Sequence, residues 1–172
     1  MGRCCFDSLE RRFPAVAGLD AGYIAKQLAD FKSGARKNIS MEPFAQMLND
    51  TQVKDVAAYY ASLPMPERAA ASGADPELLA HGERLALTGD WDRYVVSCVA
   101  CHGPGSGGVG SVFPSLAGQH PEYLQTQLLA YRDGTRSNDP QDLMGAIARR
   151  MTDRDIDAVS AWLGAQPAPV RK

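Results

Sequence analysis

Apolar residues recur along most of this chain at helical spacing, and no run alternates with polar residues long enough to make a half-buried strand. Ile156, Val159 and Leu163 form one stripe, behind a Thr152-x-x-Asp155 that has capping-box form with Asp in place of Glu. Tyr123, Gln127, Leu128 and Tyr131 share another face. Pro121 suits the first helical position of that segment, and Gly134 closes it. Asp75-Pro76-Glu77 is an N-cap and first-turn signal for a helix through Leu78, Leu79, Gly82 and Leu85. Between the helical stretches, Met65 to Gly73 is rich in Pro, Ala and Ser and reads as a linker. The pattern predicts an all-α protein.

The pattern also repeats. Phe13-Pro14, Ala17-Gly18, Tyr23, Gln27-Leu28, Gly34 and Arg36 recur 100 residues later as Phe113-Pro114, Ala117-Gly118, Tyr123, Gln127-Leu128, Gly134 and Arg136. After a three-residue insertion in the second copy the offset is 103, and Met41, Ala45, Asp50, Val56 and Pro64 recur as Met144, Ala148, Asp153, Val159 and Pro167. Chance similarity does not hold register over such a length. The expected organisation is a first unit over 1–64, a linker over 65–74 and a second unit over 75–172.

Composition narrows the class. The hydrophobic fraction is 45% and the net charge −2, as in ordinary globular proteins, with no strong field for nucleic acid. No apolar run approaches the ~20 residues a membrane span needs. The decisive chemistry lies at Cys98-x-x-Cys101-His102. On one helical turn the two thiols project from the same side, so both can form thioethers to one porphyrin, and the adjacent imidazole can ligate its iron. A thioredoxin-like C-x-x-C should sit in a βαβ pattern, which is absent. A zinc site needs two more ligands at finger-like spacing, but the other cysteines are the adjacent Cys4 and Cys5, far upstream. Covalent haem c is the expected cofactor. Glycines from Gly103 to Gly110 would let the backbone pass close to the ring edge.

Cys98-x-x-Cys101-His102-Gly103, Phe113-Pro-Ser-Leu-Ala-Gly-Gln119, Tyr123-x-x-x-Gln127-Leu128, Gly134-x-Arg136 and Met144-x-x-x-Ala148 together resemble the cytochrome c4 family. The resemblance covers nearly all of residues 13–167. It implies two tandem class I cytochrome c-like domains, normally with one haem in each. It also implies a one-electron carrier rather than an enzyme, with membrane respiratory complexes, a terminal oxidase or a dehydrogenase as redox partners and the periplasm as location. The sixth iron ligand should be a thioether, and Met144 occupies the family's axial position, whereas Met151 aligns with Leu48 and reads as core. If Met144 did not ligate, an open iron could instead bind a small gas or peroxide. Pro114 resembles the proline whose carbonyl orients the proximal histidine. Arg136 resembles an arginine near a haem propionate, with a solvated surface arginine as the alternative. Trp162 resembles the aromatic that packs on the first helix near Gly82. His81 and His120 lack ligand-like spacing and read as exposed or capping histidines.

The first copy departs from the family. Counting back 100 residues from Cys98, Cys101 and His102 reaches a position before Met1, then Met1 and Gly2, so the motif and its helix are missing there. Residues 2–12 share nothing with 102–112, and the start carries no secretory signal. A truncated reading of a longer di-haem protein would account for both absences at once; a mono-haem form with a vestigial first unit is the alternative. One haem c is expected for the chain as written, and a second in a full-length protein.

Overall fold

A computed structural model describes residues 13–65 and 75–168. Cys4 and Cys5, the unmatched residues 2–12 and nearly all of the linker lie outside the described residues. In chain order the helices are α1 (Ala21–Ser33), α2 (Met41–Met47), α3 (Asp50–Ser62), α4 (Pro76–Leu87), α5 (Cys98–His102), α6 (Pro121–Arg132), α7 (Leu143–Ala148) and α8 (Asp153–Ala165). Among the described residues β structure is confined to two isolated bridges, Asp90 with Val95 and Val109 with Phe113.

Local signals set the boundaries. The Asp75 carboxylate accepts from the Glu77 N–H with Pro76 in the first turn of α4, and Pro121 stands in the first turn of α6 without a side-chain cap before it. At α8, the Thr152 side chain accepts from the Asp155 N–H while the Asp155 carboxylate accepts from the Thr152 N–H. Asn49 and Gln52 form the same reciprocal cap at α3. The sequence repeat is therefore also a structural one: α1, α2 and α3 correspond to α6, α7 and α8.

Two apolar clusters follow from this arrangement. Leu85, Val95, Leu124, Met151, Ile156, Val159 and Leu163 form the core of the second copy, where α4 crosses α8. The crossing is close because Gly82 has no side chain: a Cβ there would lie 2.1 Å from the Ala158 carbonyl oxygen and 2.8 Å from the Trp162 Cβ. Trp162 thus packs beside Gly82, as expected. In the first copy Leu19, Ile24, Leu28 and Ala57 form the buried centre, and Met65, the first residue read as linker, packs against it.

Polar contacts join the copies. The Gln119 carboxamide donates to the Ala15 carbonyl at 2.9 Å and accepts from the Ala15 N–H at 2.8 Å, both buried. Arg36 donates to Gln27 (2.8 Å), Tyr123 (3.0 Å) and Gln127 (2.8 Å). Arg136 mirrors it, donating to Gln127 at 2.7 Å and to Gln27 at 3.3 Å.

Candidate haem site

α5 is a single turn, capped by the Gly103 N–H donating to the Val99 carbonyl. It carries both thiols and the imidazole of the motif. Cys98 and Cys101 are not joined as a disulfide. Burial pushes the Cys98 thiol up to about 11, so it is held as the neutral thiol. His102 is buried at 6% exposure, and burial lowers its imidazole below the ordinary range and favours the neutral ring. Its Nδ1–H donates to the Pro114 carbonyl at 2.7 Å, which leaves Nε2 with the free lone pair. Phe113 meets the same ring edge-on, centroids 5.9 Å apart.

The loop after α5 reaches Pro114 by folding tightly on itself. Gly108 donates to the His102 carbonyl at 2.8 Å, and the Ser106 carbonyl accepts from the Leu116 and Ala117 amides. Gly108 has φ 90°, and a Cβ on it would lie 2.7 Å from the Ser115 nitrogen, so this position requires glycine.

These groups border one cavity of about 1370 Å³ that extends across both copies. Cys98, Cys101, His102, Pro114, Arg136 and Met144 all line it. The volume exceeds the ~300–1,000 Å³ of ordinary small-molecule sites. A haem fits this donor set: two thiols on one turn, a neutral imidazole with its second nitrogen tied back, and a thioether from another element, around mostly apolar walls. Met144, half-buried, sits in the first turn of α7, and the Asp139 carboxylate accepts from its N–H at 2.7 Å and from that of Gly145 at 3.3 Å. Met151 also borders the cavity but belongs to the apolar core.

For two histidines the expectation is corrected, and for Arg136 the alternative falls: Arg136 is not a solvated surface arginine. It is 8% exposed, stacked over the Tyr131 ring at 4.5 Å and bonded to Gln27, Gln127 and Asn138. Nor are His81 and His120 exposed. His120 is buried where α6 begins, and its side chain does not cap that helix. His81 donates through Nε2 to Asp155 at 2.7 Å and accepts at Nδ1 from Arg84 at 2.7 Å.

Sequence reasoning gave no role to Gln27, Gln127, Asn138 or Gln119, although all four line the cavity and knit the copies together. The recurrence of Gln27 as Gln127, and of Arg36 as Arg136, was the available signal.

The comparisons with known proteins agree with this chemistry. The Cytochrome c family model matches residues 80–166. A relative named thiosulfate dehydrogenase electron acceptor, from Stutzerimonas stutzeri (strain A1501), is 52% identical over 87% of this chain and 69% of its own length. Cytochrome c4 of Thiocapsa roseopersicina is 42% identical over 91% of this chain and 80% of its own. The crystal structure of reduced recombinant cytochrome c4 from Pseudomonas stutzeri superposes with a TM-score of 0.85 at 32% identity, covering 94% of this chain and 88% of that one.

Proposed function

The chain belongs to the cytochrome c4 family and transfers electrons through covalently bound haem c; from that premise we propose that Cys98 and Cys101 hold the haem, that His102 and Met144 ligate its iron, and that a thiosulfate dehydrogenase is the electron donor. The observation that carries the donor is the 52% identity to a relative bearing that role in its name. Haem c, when bound, supplies an iron that exchanges a single electron between its ferrous and ferric states.

The residues of the chain do the rest. Cys98 and Cys101 fix the position of the group covalently, so it is never lost between encounters. The Pro114 carbonyl, by accepting from Nδ1, orients the imidazole and raises its basicity as a ligand. Met144 would offer its thioether to the iron from the α7 wall of the cavity and, once bound, would leave no position for a substrate, which suits a carrier rather than an enzyme. The apolar wall around Cys98, Leu116, Leu124 and Leu128 keeps water from the centre, so little solvent reorganises as the charge changes. Arg136, fixed by Gln127 and Asn138, presents a cation to the cavity, suited to a haem propionate. Transient docking onto redox partners, and the periplasmic location that covalent haem attachment calls for, complete this reading.

The test mixes the ferric holoprotein with thiosulfate dehydrogenase and thiosulfate. Rapid reduction that needs both components is expected; reduction by ascorbate alone, with none from the dehydrogenase, would remove this donor. In the same preparations Met144→Leu should abolish the far-red charge-transfer band of methionine-ligated ferric haem, and Met151→Leu should keep it. The opposite pattern would move the axial role to Met151.

A further inference from the structure

The two copies differ in how the loop before the axial methionine is held. The three extra residues of the second copy fall between Arg136 and Met144. That longer loop contains consecutive non-glycine residues in the left-handed region, Gln141 at φ 56° and Asp142 at φ 57°. Such conformations persist only where their surroundings hold them in place.

The first copy supplies part of that restraint. Asn138 Nδ2 donates to Asp30 at 2.5 Å and to Gln27 at 3.0 Å, and the Asn138 carbonyl accepts from Lys26 Nζ at 2.8 Å. Lys26 and Asp30, one turn apart on α1, are themselves paired at 2.5 Å. The next residue, Asp139, holds the Met144 and Gly145 amides. A continuous chain of contacts therefore runs from α1 through Asn138 and Asp139 to Met144.

The reverse path lacks its anchors. The α6 positions equivalent to Lys26 and Asp30 are Thr126, whose hydroxyl donates to Glu122 in its own helix, and Ala130. Asn38, the counterpart of Asn138, turns its side-chain oxygen to the Ser40 and Met41 amides.

We infer that Lys26 and Asp30 are positioning residues for the axial ligand of the other copy: α1 clamps the loop that delivers Met144, and the second copy does not return the contact. The inference rests on the reading of Met144 as the iron ligand. Loosening the clamp should let an outside ligand displace the thioether more readily.

The test titrates imidazole into the ferric holoproteins of wild type, Lys26→Met, Asp30→Ala and Lys32→Ala. Lys32 reaches the Leu48 carbonyl within the first copy, at 2.7 Å, and so controls for general weakening of that copy. Lys26 is 40% exposed, so its replacement leaves the fold intact even where Asp30→Ala does not. Imidazole should bind about fivefold more tightly to Lys26→Met and Asp30→Ala, the lower end of ordinary site-to-site coupling, and unchanged to Lys32→Ala. Equal affinity in wild type and Lys26→Met, or an equal gain in Lys32→Ala, would overturn the clamp. A wild-type protein without the far-red band would overturn the reading of Met144, and the clamp with it.

Discussion

Asp155 shows how much one side chain carries here. It is 2% exposed and accepts from Arg93 at 2.7 Å, from His81 at 2.7 Å and from the Thr152 N–H at 2.8 Å. Burial by itself would raise its carboxyl; the Arg93 guanidinium, the Thr152 amide and His81 outweigh this and hold it well below the usual carboxylate range. Because the folded value lies below the unfolded one, the contribution is full at neutral pH. It fades as pH falls below about 4, where the unfolded carboxyl takes up its proton first. Asp155→Asn should therefore cost about 2–3 kcal/mol at pH 7 by denaturant unfolding, somewhat less than the ~3–5 kcal/mol of breaking a fully buried pair, since Arg93 is partly solvated. The gap between variant and wild type should narrow at pH 2.5. A gap that stays constant with pH would assign the loss to packing instead. The Thr152-x-x-Asp155 spacing announced the capping box, since both partners are local. It carried no sign of Arg93 or His81, which arrive from the turn after α4 and from α4 itself. Arg136 is the same: its recurrence was visible, but its hydrogen bond to Gln27 comes from the other copy.

Helices were the legible scale. The starts of α4, α6 and α8, the stripe of Ile156, Val159 and Leu163, and the short haem-attachment turn all follow from spacing and capping within a dozen residues. How closely helices approach was not legible, because it depends on what the facing helix presents. In the sequence Gly82 is one position in an apolar stripe, and the resemblance places an aromatic beside it. In the fold it is where α4 lets the α8 backbone in. Gly82→Ala places a Cβ 2.1 Å from the Ala158 carbonyl oxygen, and a helix backbone cannot yield as the tip of a flexible side chain can. Although alanine has the better helix propensity by about 1 kcal/mol, the clash should dominate, for a net loss of about 1–2 kcal/mol in denaturant unfolding. Because Leu85, Cys98 and Val159 all line the haem cavity near this crossing, the far-red band should also weaken. A stability equal to or above wild type would mean the two helices part without cost.

At the scale of the molecule, the two copies are alike in plan and unequal in burial. α8 buries Ile156, Ala158, Val159, Ser160, Leu163 and Gly164, whereas α3 buries Ala57 among its described side chains. Among the described residues, hydrogen bonds from Gln119, Arg36, Arg136 and Asn138 join the copies, and such bonds contribute about 1 kcal/mol each between neutral groups and about 1.5–3 kcal/mol from a guanidinium. A strong core and a weaker one joined by a polar seam should open in sequence, the first copy before the second. The seam is broken in the first step and is absent from the second, so weakening it should lower the first opening alone. Gln119→Ala removes both bonds to Ala15 and the one to the His120 N–H, and takes from the buried Ala15 backbone the partner of its N–H and its carbonyl. Native-state hydrogen exchange should then show α1 and α3 amides opening about 2 kcal/mol more easily, while α8 changes by less than about 0.5 kcal/mol. An equal drop in α3 and α8 would show instead that both copies unfold as one cooperative body. In that case the seam would couple the two cores far more tightly than its hydrogen bonds imply.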